Sequence, residues 1–263
     1  FVIAPPEGSF LEAAMRAPKP LTIALHQQPL IAGTVVDKEV LAVLEQTAKQ
    51  LEDMGHRVAP AEPNINIEQF WHDFMVVVCT HTAFTIDDIE RHYGAHHVKK
   101  LEPQTQNMAL LGRSLSAVDL AHAKQGWHNS QYQTGLLLET YDMILCPTVP
   151  TPAVKHGVLP PSVMDEMLMR SAELLNKSID MGKYAFSSGM IEKLSHPVLS
   201  KMAFTLLGNV TGLPAVSVPV GMSKKGLPIG MQLIGRMNDE TTLFSVAGEM
   251  ERAGMFTKPA FAK

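Results

Sequence analysis

At three places the chain brings together side chains that could do chemistry. The first runs from Cys79-Thr80-His81 to His92 and His96-His97. His92 and His96 stand four residues apart, the spacing that puts two imidazoles on one helical face and lets them share a zinc ion with a nearby carboxylate. Gly94 lies between them and weakens the helix that such a site needs, so no metal site is expected. The second place is Lys183 with Ser187 and Ser188. A lysine beside a hydroxyl can serve as base to a serine nucleophile, but the same residues at the end of a polar helical turn are simply solvated, and that is the reading expected here. The third is Cys79 taken alone. A lone cysteine in an apolar helical run is ordinarily a small buried hydrophobe.

Several common enzyme classes are excluded by what the chain lacks. It has no G-x-S-x-G elbow, Walker loop, dinucleotide glycine fingerprint or H-E-x-x-H helix. Neither a cofactor nor a metal is therefore called for.

The elements that must position these residues follow from periodicity and punctuation. Leu21 to Leu25 is β-rich, and Asp37 then opens a helix with Val40, Leu41, Leu44, Ala48 and Leu51 on one face, ending at Gly55. Arg57 to Ala59 resumes extended structure, so this portion is expected to be a strand, helix, strand unit with parallel strands. Asn66 to Arg91 is a buried helical run centred on Phe74, Val76, Val77 and Val78, closed at Tyr93-Gly94. Ser116 and Asp119 have the form of a capping box for a long helix to about Thr140, with Trp127 on its packed face. Tyr141 to Cys146 reads as a buried strand stopped by Pro147, and Asn238 as the cap of a last helix with Leu243, Val246, Ala247 and Met250 turned inward. Between Pro150 and Ser200 lies a segment rich in methionine, with Met164, Met167, Met169, Met181 and Met190, most of them expected in the core. A flexible, polarisable cover over a pocket is the alternative for that segment.

Composition sets the outer bounds. A chain of 263 residues that is 46% hydrophobic can bury one large core. Charge, Gly or Pro breaks every apolar run well short of a spanning helix, and no signal peptide opens the chain, so no membrane partner is expected. The net charge of −4, with basic residues scattered, offers no stripe for nucleic acid. Two distant cysteines without ligand spacing suit a reducing compartment, and the cytoplasm is the expected location. The chain opens on Phe1 in a Val-Ile-Ala-Pro-Pro run, which leaves a fragment open.

The most specific pattern runs from Phe204 to Gly235, FTLLGNVTGLPAVSVPVGMSKKGLPIGMQLIG. It reads as a short helix, a tight turn and two strands joined by a loop, with Val216, Val218 and Val220 on alternate positions. Gly212 is expected at positive φ, with Asn209 hydrogen-bonded to the same turn. The two stretches N-x-[TS]-G-x-P-A-x-S-x-P-x-G and G-x-P-I-G-x-Q-x-I, at a fixed distance from each other, resemble the carboxy-terminal part of amidase signature enzymes. Leu21 to Val58 and Tyr141-Asp142 to Pro147-Thr148 are similar to other parts of that family, and within it the chain resembles the nylon-oligomer hydrolases.

The resemblance implies an α/β fold, a mixed β-sheet core flanked by helices on both faces, with residues 1–263 as the carboxy-terminal portion of a single amidase domain. It implies hydrolysis of a carboxamide through a serine acyl-enzyme, using a lysine, a serine in a cis peptide and a nucleophilic serine. In the family those serines lie in a Gly/Ser-rich stretch that has no counterpart here, so no catalytic residue is expected in this chain. Cys79 is similar in place to a cysteine beside the family's pocket, and Met202 stands where the glutamine-dependent branch carries an aspartate that grips the substrate's ammonium. Both are expected to border substrate, and glutamine is a poor candidate. The expected partner is a small amide, with a homodimer left open. A non-catalytic α/β module that binds a ligand or a partner is the alternative reading.

Overall fold

The structure is a computed structural model, and it describes residues 8–155 and 181–258. Met164, Met167 and Met169, and the expected methionine cover with them, lie outside the described residues. The chain divides into two compact units, one of residues 1–65, 129–155 and 199–263, the other of residues 66–128 and 156–198.

The first unit is built on a five-stranded sheet. Helix α1 (Phe10–Met15) is started by Ser9, whose hydroxyl accepts from the Glu12 amide while the Glu12 carboxylate accepts from the Ser9 amide. Strand β1 (Thr22–Leu25) is followed by helix α2 (Lys38–Asp53), which Asp37 caps by accepting the Glu39 amide at 2.7 Å. Gly55, at φ +98°, turns the chain into strand β2 (Arg57–Pro60), which pairs parallel with β1. The expected strand, helix, strand unit is therefore present. His56 ties it to the rest. Its Nδ1 accepts the Leu21 amide at 3.1 Å, so its Nε2 carries the proton and donates to Glu249 at 2.9 Å.

Strand β3 (Met143–Pro147) lies parallel to β1 on its other side, and the sheet order is β2-β1-β3 followed by two antiparallel strands near the carboxyl end. These are β4 (Ala215–Met222) and β5 (Pro228–Gly235), with β5 next to β3 and β4 at the edge. Alternation then decides the faces. Ile23, Met143, Leu145, Met231, Leu233 and Val218 point to one side, where α2 packs through Val40, Leu44 and Leu51 together with a last helix, Glu240–Arg252, through Leu243, Val246 and Met250. The cap of that last helix is Asp239, which accepts the Thr242 amide at 3.2 Å, rather than the expected Asn238. Asn238 sits one position earlier at φ +62°, a conformation that asparagine tolerates better than most residues. Among the described residues no helix is long and apolar enough to cross a membrane.

The second unit is helical. Helix α3 (Ile67–Tyr93) is capped by Asn66, which accepts the Gln69 amide at 3.1 Å, and ends at Gly94, φ +90°. A single turn, α4 (Ala95–Val98), leads to α5 (Pro103–Arg113), whose proline stands at the first helical turn where its missing N–H costs nothing. Helix α6 (Ala117–Thr140) opens with the expected capping box of Ser116 and Asp119 and stacks Trp127 on Phe74 at 6.4 Å between centroids. From Asn129 on its residues belong with the sheet. Among the described residues helices α7 (Met181–Ser187) and α8 (Met190–Leu199), the latter up to residue 198, also belong to this unit. A 3-10 turn (Ser200–Met202) and helix α9 (Leu206–Thr211) then lead to β4, and the Glu240–Arg252 helix is α10.

Candidate functional site

Strand register places a row of polar side chains across the second face of the sheet. Leu25 pairs with Leu145, and the His26 amide continues the ladder by donating to the Leu145 carbonyl at 2.9 Å, so His26 stands beside Cys146. Cys146 pairs with Gln232 on β5, and Gln232 with Ser217 on β4. These residues share a face because each is in register with the next. Thr148, two residues beyond Cys146, closes the row, its hydroxyl 2.6 Å from that of Ser217. Gly230 lies under this hydroxyl pair, and a Cβ there would meet both oxygens at 3.0 Å.

Burial and hydrogen bonding set the chemistry of the row. His26 is 1% exposed, and its Nδ1 donates to Glu62. The other oxygen of Glu62 accepts the Gln27 and Gln28 amides at 2.8 and 3.1 Å. Partial burial works against the ionised form of Glu62, but the His26 imidazole and those two amides outweigh it, and its pKa lies below the usual carboxylate value. His26 Nε2 has no partner among the described residues. Phe204 lies edge-on to the imidazole at 5.7 Å, and its carbonyl accepts from Gln232 Nε2 at 3.5 Å. The same Gln232 nitrogen is 3.6 Å from Cys146 Sγ. Burial pushes the Cys146 thiol up to about 12, so it is no thiolate at neutral pH. Ser217, for its part, faces another hydroxyl and no base. Of the row, solvent reaches Ser217 and part of Thr148, and the row holds no paired nucleophile and base.

The turn before β4 stands beside this row. Gly212 ends α9 at φ +71°, as expected, and its amide donates to the Gly208 carbonyl at 2.9 Å. Asn209, expected in the turn's hydrogen bonding, is exposed and its side chain makes no hydrogen bond among the described residues. Gln131 of α6 takes that part instead, donating to the Thr211 carbonyl at 3.0 Å. Arg236, just after β5, donates to the carbonyls of Leu138 and Tyr141 and pairs with Asp142 at 3.0 Å, where α6 ends.

Met202 belongs to the first unit, 38% exposed, two residues before Phe204, its carbonyl accepting from the Thr205 hydroxyl and the next carbonyl, of Ala203, from the Leu30 amide. Cys79 belongs to the second unit and is completely enclosed on α3, its thiol pushed by burial up to about 12. Ser187 and Ser188 are exposed on and just beyond α7, each donating back to a carbonyl three residues earlier. His92 contacts Asp88 and His97 the Tyr93 carbonyl, and no group of three or more His, Cys, Asp or Glu suited to a metal is found among the described residues. His26, Glu62, Cys146 and Thr148 escaped sequence reading because only long-range register unites them. Ser217 and Gln232 did leave a signal, since both are fixed positions of the pattern between Asn209 and Ile234.

Comparison with known proteins agrees with this architecture. The sequence pattern of the amidase family matches residues 2–182 and 181–244. AmiA2 of Mycobacterium tuberculosis is 27% identical over 257 residues, 97% of this chain and 46% of its own length. A glutamyl-tRNA(Gln) amidotransferase subunit from Lactococcus lactis is 29% identical over 265 residues, 91% of this chain and 46% of its own. The structure of 6-aminohexanoate cyclic dimer hydrolase superimposes with a TM-score of 0.76 at 22% identity, covering 100% of this chain and 51% of that one. That likeness speaks for the fold. The chain thus spans about half the length of the relatives it matches.

Proposed function

The chain belongs to the amidase signature family, and on that premise we propose that it forms the carboxy-terminal portion of a hydrolase that cleaves a carboxamide by acyl transfer to a serine and then to water. In that reading the nucleophilic serine, the second serine and the lysine base lie in the other half of the relatives' length. The attacking hydroxyl loses its proton toward the lysine, the amine leaves with a proton, and water cleaves the resulting ester. Backbone amides that hold the oxyanion are worth about 3 kcal/mol each in comparable sites.

The observation that supports this reading, beside the family match, is a row from His26 to Ser217 that carries imidazole, thiol, amide and hydroxyl groups but no nucleophile paired with a base. These residues supply the sheet on which the site is mounted, and part of a pocket wall. Cys79, whose thiol burial holds protonated at neutral pH, contributes by shape and not as a nucleophile. Met202 removes the carboxylate that a charged ammonium would need, and an unpaired buried ion costs several kcal/mol. The substrate is accordingly an amide with an uncharged acyl chain, linear or cyclic, and glutamine is disfavoured.

Incubation of purified residues 1–263 with a simple anilide tests the assignment. No hydrolysis above background is expected. Turnover that disappears when Ser187 and Ser188 are both changed to Ala would overturn it.

A further inference from the structure

A cleft of about 490 Å³ opens in the first unit where α6 ends, between that helix, the turn before β4 and the residues just after β5. Its apolar surface comes from Leu138 on α6, from Leu213 in the turn and from Met237, whose methyl lies 4.0 Å from the place a Cβ would take on Gly212. At Gly135, one turn before Leu138, a Cβ would meet nothing within 4 Å beyond its own helical turn, so the helix leaves the space open there. Two charged side chains line the same cleft, Arg236 and Glu139. Arg236 is already engaged. Its Nε donates to the Leu138 carbonyl at 3.0 Å, its Nη2 to the Tyr141 carbonyl at 3.2 Å, and its charge is met by Asp142 at 3.0 Å. Glu139 is exposed, and its carboxylate has neither a hydrogen bond nor an ion pair among the described residues.

The occupant follows from charge. The carboxyl end of α6 is the negative end of the helix dipole, and its last turn carries no basic residue of its own. With Arg236 neutralised by Asp142, the carboxylate of Glu139 leaves the cleft net negative. An anion is repelled there. A divalent metal would find a single free carboxylate, and no group of three or more metal-binding side chains occurs among the described residues. The remaining polar side chain of the lining, Gln131, uses its amide nitrogen on the Thr211 carbonyl. The volume is that of a small-molecule pocket. We propose that the cleft binds a primary alkylammonium ion, its charged head on Glu139 and its chain across Leu138, Leu213 and Met237. The binding does not rest on the amidase reading; under that reading such ions are the amines that hydrolysis of N-alkyl carboxamides releases.

Methyl NMR of the purified chain, titrated at pH 7 with the n-alkylammonium chlorides from propyl to hexyl, tests this through the Met237 methyl resonance. A saturable shift is expected, with affinity rising about two- to fourfold for each added methylene as apolar surface leaves water. Hexanol and hexanoate, which keep the chain and lose the positive charge, should bind more weakly than hexylammonium. Glu139→Gln changes an exposed side chain that holds nothing in place, so it should fold as wild type and weaken hexylammonium about 3-fold, a modest factor because the carboxylate is exposed. Gly135→Leu puts a side chain into the open space and favours the helix, and it should abolish the shift without lowering the melting temperature. If Gly135→Leu melts lower, Glu139→Gln decides alone. A Met237 methyl that does not move, hexanol or hexanoate binding as tightly as hexylammonium, Glu139→Gln equal to wild type, or undiminished binding by a stable Gly135→Leu would each overturn the proposal.

Discussion

Cys79 shows what a single residue can and cannot contribute. Its side chain is fully enclosed and its thiol is protonated until about pH 12, so both packing and acidity deny it the part of a nucleophile. What remains is volume. In an enzyme that also carries the catalytic portion, Cys79→Ala should cost about 1 kcal/mol of stability through the lost sulfur. It should also alter the preference between short and long acyl amides, each methylene of fit being worth about 1 to 3 kcal/mol. The check is kcat/KM on one substrate of each length. An equal fall for both, following the loss in melting temperature, would return Cys79 to plain packing. At this scale the sequence was a partial guide. It drew attention to Cys79 and Met202, but His26 and Glu62 make their contact between segments with no motif in common, and Cys146 finds Gln232 only because two strands 86 residues apart happen to be in register.

Among the elements, α2 and the first parallel strands could be read in advance because an aspartate cap, an apolar stripe and a closing glycine all agree locally. The α3 and α5 contact could not. Gly112 reads locally as a weak point in a helix, yet a Cβ there would stand 2.0 Å from the Cys79 carbonyl oxygen and 2.9 Å from the Thr80 nitrogen. The two backbones approach so closely that only glycine fits. The same blindness produced the error at α10, where Asn238 and Asp239 are adjacent residues of similar capping strength and only the backbone turn at Asn238 decides between them. Gly112→Ala should therefore force the helices apart and cost about 2 kcal/mol or more. Gly55→Ala, which meets nothing within 4 Å but keeps φ near +98°, should cost only about 1 kcal/mol of backbone strain. Urea midpoints of the two variants measure the difference, and equal midpoints would refute the close approach.

Over the whole molecule, carboxylates of opposite character set the response to acid. Glu62 is held below its usual pKa by His26 and two backbone amides, and Asp119 by the Ser116 amide and hydroxyl. A depressed carboxylate stabilises the fold above its unfolded pKa, and that stability is lost as pH falls through the lower folded value. Asp73 has the reverse sign. It is buried on α3, accepts from Gln69 at 2.8 Å, and desolvation raises its pKa, so its contribution is present in acid and lost as pH rises through the folded value. Glu62→Gln removes the charge that holds His26 and should lower stability near pH 7 by about 1 kcal/mol, a modest figure because the carboxylate is partly solvated. Asp73→Asn keeps an acceptor for Gln69 without the buried charge and should raise stability near pH 7. Melting temperatures from pH 7 down to pH 3 separate the two. The Glu62→Gln deficit should shrink below the usual glutamate value of 4.5 as the wild-type carboxyl gains its proton, and the Asp73→Asn advantage should vanish on the same descent. A Glu62→Gln deficit that persists undiminished into acid would mean that the pair with His26 contributes shape and not charge, and the acid limb would then have to come from other carboxylates.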